Sequence, residues 1–246
     1  MKKIYSLLIL TLVTFQAFSQ TADDVINKYF EVIGGKEKLA TINSVKMIGK
    51  GKQGGMEFPL TSFQKAPNKM LQMISFQGKE IVVGAFDGAE SWSTNFMTMK
   101  PEKAEAEDSQ NAAQDMDFPD PFLNYASKGY SVSLDGEETV EGVACHKIKL
   151  TKKPIKVDGK EEENSSYYFF DKESSALIMN RSTMKKGQAK GMTIETYMSD
   201  YQEAGGIYFP FSVSQKANGQ EMFGLVMEKI EINTPIEDSK FSFPNN

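Results

Sequence analysis

The stretch EGVACHKIKL, residues 141–150, sets Cys145, the only cysteine of the chain, directly beside His146, its only histidine. A thiolate next to an imidazole is the pairing of a cysteine nucleophile, and the same residue types form half of a zinc centre. Neither chemistry can be completed here. Two residues cannot supply the three or four ligands that zinc takes. A serine nucleophile would have to share His146 as its base, and no G-x-S-x-G turn surrounds any serine. In a strand, moreover, neighbours point to opposite faces: Ala144, His146, Ile148 and Leu150 share one side, Val143, Cys145, Lys147 and Lys149 the other. The expectation is therefore a His146 facing an apolar interior, and a Cys145 lying unpaired and oxidation-prone on an outer, lysine-bearing face.

Other patterns are equally incomplete. GKGKQG, residues 49–54, satisfies G-x-G-x-x-G in form, but a dinucleotide site needs a helix after the glycines, and MEFPLTSF follows with the alternation of a strand. These glycines mark a hairpin. The acidic run DMDFPD, residues 115–120, has no calcium-loop spacing and reads as a solvated loop. Paired carboxylates for glycoside cleavage depend on a separation that spacing along the chain does not give. No catalytic residue, cofactor or metal ligand is assigned, and the chain is expected not to be an enzyme.

What the composition does supply is adaptable apolar bulk: 14 methionines and 17 phenylalanines in 246 residues. Methionine changes shape at little cost and is over-used where varied hydrophobic ligands are accepted, although core filling explains any single one. The formal charge of −5, about −7 once Lys2 and Lys3 are removed with a leader, gives no basic footprint for nucleic acid.

The elements that position these residues follow from periodicity. Residues 1–19 have the charge, apolar run and small-residue cut site of a secretory signal, with Lys2 and Lys3, then Ile4 to Val13, then Ala17 and Ser19 ahead of a cut before Gln20. No cysteine lies near that cut, so the mature protein is expected to be periplasmic, released and not itself a lipoprotein. Residues 20–246 are expected to form one domain. Val25, Ile26, Tyr29, Phe30 and Ile33 recur at helical spacing after a Thr21 or Asp23 cap, and Gly34-Gly35 ends that helix. From Ser44 the period becomes two, with turn signals at Gly54-Gly55, Pro67-Asn68, Gly78-Lys79, Asp87-Gly88 and, later, Gly205-Gly206 and Asn218-Gly219. Between the strand runs, about 100–128 reads as a helical insertion lying over the sheet, with an irregular loop over 100–117 as the alternative. About a dozen strands in one meander are too many to stay flat. The fold class is mainly β with a few helices, a curled antiparallel meander wrapped into a barrel or half-barrel whose mouth the helices fill or cover.

Five stretches, YFEVIGGKEKLATINSVKMIGKG, GGMEFPLTSFQKAPNKM, AFDGAESWSTN, YYFFDKESSALIMNRS and ETYMSDYQEAGGIYFPFSV, followed by MEKIEINTPIEDSKF, run in this order through most of the chain. Together they resemble the LolA-like, outer-membrane lipoprotein-sorting proteins of the bacterial periplasm. That resemblance implies an unclosed antiparallel barrel with helices as a lid, a concave apolar side holding the acyl chains of a lipoprotein, and membrane-associated donor and acceptor proteins. It implies carriage without catalysis, and the protein is expected to be a monomer. Arg181, the only arginine, is by default the candidate for the lid-controlling arginine of the sorting carriers. Large residues on strands facing the enclosed side give the expected ligand lining: Phe76, Trp92, Tyr168, Phe170, Met198, Phe211 and Met227. The competing reading is an exported interaction domain that fills the half-barrel with its own side chains.

Overall fold

The computed structural model describes residues 20–244. The expected leader, residues 1–19, lies outside the described residues.

Helix α1 (Ala22–Val32) begins where the sequence places its cap: Thr21 accepts from the Asp24 N–H, and the Asp24 carboxylate accepts from the Thr21 N–H in return. One stripe of α1, with Val25, Ile26, Tyr29 and Phe30, is buried. A short α2 (Lys36–Leu39) follows. Gly34 between them is obligatory, because its φ is +117° and a Cβ there would lie 2.4 Å from the Gly206 carbonyl oxygen.

The strands are β1 (Ser44–Gln53), β2 (Met56–Lys65), β3 (Lys69–Phe76), β4 (Lys79–Phe86), β5 (Ser91–Asn95) and β6 (Lys100–Lys103). After α3 (Ala106–Asp115) come β7 (Ser131–Val140), β8 (Val143–Thr151), β9 (Ile155–Val157), β10 (Lys160–Glu162), β11 (Ser165–Asp171) and β12 (Leu177–Thr183). The last three are β13 (Thr193–Ala204), β14 (Ile207–Ala217) and β15 (Gln220–Ile232). Thirteen strands form one antiparallel sheet in the order β6-β5-β4-β3-β2-β1-β15-β14-β13-β12-β11-β8-β7, and β9 and β10 pair separately. The order ends on β6 and β7, which are not joined, so the sheet curls without closing into a barrel.

The inner face wraps around α1. Val45, Ile148, Leu150, Tyr168, Phe170, Leu177, Phe211, Met227 and Ile230 pack with α1 and with Phe122 and Leu123 into one core. Two further clusters lie on the outer face. Phe63, Leu71, Ala85 and Trp92 stand side by side across β2 to β5 and are covered by the C-terminal tail through Ile236 and Phe241. The tail is held by hydrogen bonds from Trp92 Nε1 to the Phe241 carbonyl (2.8 Å) and from Lys65 Nζ to the Ile236 carbonyl (2.6 Å).

Two expectations are corrected. The insertion over 100–128 is only partly helical: residues 100–103 form β6 on the edge of β5, because Asn95 accepts from the Met97 and Thr98 N–H groups and turns the chain back. Cys145 is on the outer face as expected, yet fully buried against Val140, Phe169 and Met179, and burial pushes its thiol pKa up. It is a packed hydrophobe, not an oxidation-prone thiol.

Candidate functional site

Alternation that sends Val45 and Met47 of β1 inward also sends Gly49 and Gly51 inward, where they contribute no side chain. A Cβ on Gly51 would sit 2.4 Å from the Phe58 ring, so the ring lies directly on the strand. Here, beyond the reach of α1, the inner face is unfilled. A groove of about 880 Å³ opens over β1 to β4, β14 and β15. Its walls are Phe58, Leu60, Ile74, Phe76, Val83 and Phe223, with Gln53, Gln72 and Gln215 as polar interruptions. Apolar side chains continue onto its rim, where Met56, Phe76, Phe96 and Met222 are 59%, 43%, 61% and 45% exposed. Glu57 is the charged residue of the lining; Lys52 pairs with it at 2.8 Å and holds its carboxyl below the usual range.

Next to the groove, toward α1, lies a half-open chamber of about 240 Å³. It shares Leu60 and Gln72 with the groove and is otherwise walled by residues such as Met47, Val213, Leu225, Met227 and Ile230, with Ser62 and Gln64 as its other polar groups.

The segment after β6 crosses the inner face beside the chamber. Ser91 on β5 donates its N–H to Ser109 of α3 (3.0 Å), while Glu107 accepts from the Gly159 and Asp158 N–H groups of the β9–β10 turn (2.8 and 3.2 Å). Asn111 bonds both backbone groups of Lys156, and Lys186 pairs with Asp108 at 2.8 Å. Thus α3 spans from one wing of the sheet to the other, and its acidic composition is used on lysine and backbone donors. Residues 115–118 then pass over Gln64, Met70 and Gln72, leaving about 230 Å³ beneath them. Asp117 is gripped by Lys152 (2.7 Å) and Lys128 (2.8 Å). Asp120, buried, accepts from the Tyr29 hydroxyl (2.9 Å) and the Phe122 N–H (2.8 Å), tying this segment to α1; burial raises its carboxyl pKa.

The seven expected lining residues separate. Phe76 lines the groove and Met227 the chamber. Tyr168 and Phe170 face inward but are covered by that segment, with ring centroids 4.8 and 5.6 Å from Phe122. Phe211 belongs to the same core and Met198 packs against it. Trp92 is on the opposite face of the sheet, beneath the C-terminal tail. The residues missed are Phe58, Leu60, Ile74, Phe96 and Phe223; Ile74 was within reach, two positions from Phe76 in the same strand.

Arg181 is far from that segment in role. It holds Glu138 through two nitrogens (3.2 and 2.8 Å) and Glu195 through Nε (2.8 Å), and stacks over Phe169 at 4.7 Å, all on the outer face. His146 faces inward as expected and lines a separate cavity of about 240 Å³ with Lys28, Glu137, Lys172 and Ser175. Its Nδ1 is 3.7 Å from Glu137 and has no hydrogen-bond partner among the described residues; burial lowers its pKa. Among the described residues no three His, Cys, Asp or Glu side chains are grouped to hold a metal, and no helix is long and apolar enough to cross a membrane.

No protein-family model matches the sequence, and no curated protein matches it. Solved structures do. A LolA superfamily protein from Nitrosomonas europaea superposes with a TM-score of 0.55 at 11% identity, over 92% of this chain and 99% of that one. A DUF1329 family protein from Desulfovibrio piger gives 0.54 at 13%, over 89% and 97%. An outer membrane lipoprotein-sorting protein domain from Vibrio parahaemolyticus gives 0.53 at 8%, over 89% and 94%. At such identities the likeness is one of fold: the chain shares the curled, unclosed antiparallel sheet of these structures.

Proposed function

We propose that this protein is a non-catalytic carrier or binding protein for acyl chains of lipoproteins or similar hydrophobic ligands, working in the periplasm. The observation that carries this reading is the open apolar groove of about 880 Å³ on the inner face of the half-barrel. Binding sites for small ligands are typically concave, largely apolar and of roughly 300–1,000 Å³. At about 30 Å³ per water-sized group the groove admits a sixteen-carbon chain with room to spare. Burying such a chain is favourable by about 0.8 kcal/mol per methylene, a gross gain of about 12 kcal/mol. The rim of exposed methionine and phenylalanine offers a flexible apolar entry. In the competing reading the half-barrel fills itself; that describes the end occupied by α1, Phe122 and Leu123, and leaves the groove without an explanation.

The test is uptake of N-phenyl-1-naphthylamine by the whole protein, displacement of the dye by a palmitoylated peptide, and native mass spectrometry of protein purified from the periplasm. Stoichiometric uptake, lost in Leu60→Glu while the fluorescence of Trp92 stays native, is the expected result. A protein that takes up neither dye nor acyl chain would overturn the reading.

A further inference from the structure

We propose that the inner chamber is a seat for an uncharged hydrogen-bonding group, so that the ligand is a neutral amphiphile, an acyl ester, amide or alcohol, held polar end inward with its hydrocarbon in the groove. This rests on the carrier reading above, narrows it from lipoprotein acyl chains to free hydrophobic ligands, and adds the chemistry of the head. The observation behind it is Ser62. The residue is 3% exposed, and its Oγ has no hydrogen-bond partner among the described residues. A buried hydroxyl without a partner is costly and uncommon. Ser62 lies in register with Gln72 on β3, and Gln64, two residues along β2, shares its inward face. All three line the chamber, and the remaining walls are apolar. One hydroxyl and two primary amides can donate to and accept from an ester or hydroxyl group.

Charge decides the class of head. None of the chamber's lining residues is lysine, arginine or histidine, so a carboxylate or phosphate seated there would lose part of its hydration without gaining a countercharge. Size agrees. At about 30 Å³ per water-sized group, 240 Å³ admits about eight such groups, enough for a glyceryl ester and too little for a second long chain. Leu60 and Gln72 line both hollows, so the chamber and the groove lie side by side on the inner face and a ligand seated in one can extend toward the other.

Three sixteen-carbon probes separate the possibilities: monopalmitoylglycerol, palmitate and hexadecane, each displacing N-phenyl-1-naphthylamine from the whole protein at pH 8. The expected order puts monopalmitoylglycerol about tenfold or more ahead of palmitate. Ser62→Ala and Gln64→Leu should each weaken monopalmitoylglycerol about fivefold, the worth of one neutral hydrogen bond, and leave hexadecane within about twofold, since neither residue lines the groove. The ranking on unaltered protein needs no variant, and Ser62→Ala removes a single oxygen. Palmitate binding as tightly as the ester, or both variants leaving the ester unaffected, would overturn this inference and leave the carrier reading standing. Binding of none of the three probes would overturn both.

Discussion

Phe241→Ala separates the two faces of the sheet. Phe241 is fully buried on the outer face beside Phe63, Leu71, Ala85 and Trp92, while the groove lies on the inner face of the same strands. Truncating a buried phenylalanine removes its transfer free energy and leaves a cavity, a loss of about 3–5 kcal/mol. At roughly 2–4 °C per kcal/mol for a domain of this size, the midpoint of thermal unfolding should fall by about 6–20 °C. The hydrogen bond from Trp92 to residue 241 uses the backbone carbonyl and can survive the substitution. Trp92, the only tryptophan and 7% exposed, reports the change: its emission should shift to the red in the variant, and urea titration followed at this residue should show the lowered midpoint. Dye uptake by the groove should be unchanged below the transition, and ligand addition should leave Trp92 emission alone. A loss below about 1 kcal/mol would mean that the tail is not packed as described. Quenching of Trp92 on ligand addition would put the ligand on the wrong face and refute the assignment of the groove.

Acid should loosen the tail: Asp238, pairing with Lys65 and Lys69, has its pKa lowered to about 2, so its contribution is present above the ordinary carboxylate range and is lost as pH falls through about 2. Asp238 itself is exposed, so salt should weaken the effect, which tail-specific proteolysis at low and high ionic strength would show. For Asp120 the sign is opposite, because its pKa is raised in the folded protein; its contribution is greatest below the unfolded value and declines as pH rises through the folded one. Asp120→Asn should therefore flatten the urea midpoint against pH above about 4 and raise stability near neutrality, with an unchanged slope counting against a buried carboxylate. Cys145, fully buried with a raised pKa, should react with a thiol reagent no faster than the sheet opens, and rapid labelling of native protein would contradict its packing.

Local pattern made much of this structure legible. The inward stripe of α1, Val25, Ile26, Tyr29 and Phe30, with the buried Ile33 just past its end, is the set read from helical spacing, and Gly54-Gly55, Gly205-Gly206 and Asn218-Gly219 fall at turns. The opposed directions of Cys145 and His146 followed from strand alternation alone. Alternation cannot say what covers a face, however. Trp92 is shielded by a tail about 150 residues further on, and Cys145 by Met179 and Phe169 from neighbouring strands, so "outer" did not mean wet. Large inward residues such as Tyr168 and Phe170 were expected to line a cavity because nothing in their own strand reveals that Phe122 descends onto them. The groove itself is marked by what is missing: Gly49 and Gly51, read as hairpin glycines, clear the floor on which Phe58 lies.

The seam between β1 and β15 has a consequence for how the chain reaches this state. Val45 pairs with Ile232, so the strand that begins the sheet and the strand that ends it meet in its middle. Each wing is a run of near-neighbour pairings that can form early, because short loops close at low entropic cost. Their union spans almost the whole chain, and contacts of such separation are slow to form. Until residues 220–232 are synthesised, β1 has a free edge and the apolar inner face has only half its enclosure, the kind of exposed surface that invites aggregation. The last strand made is the one that turns two sheets into one.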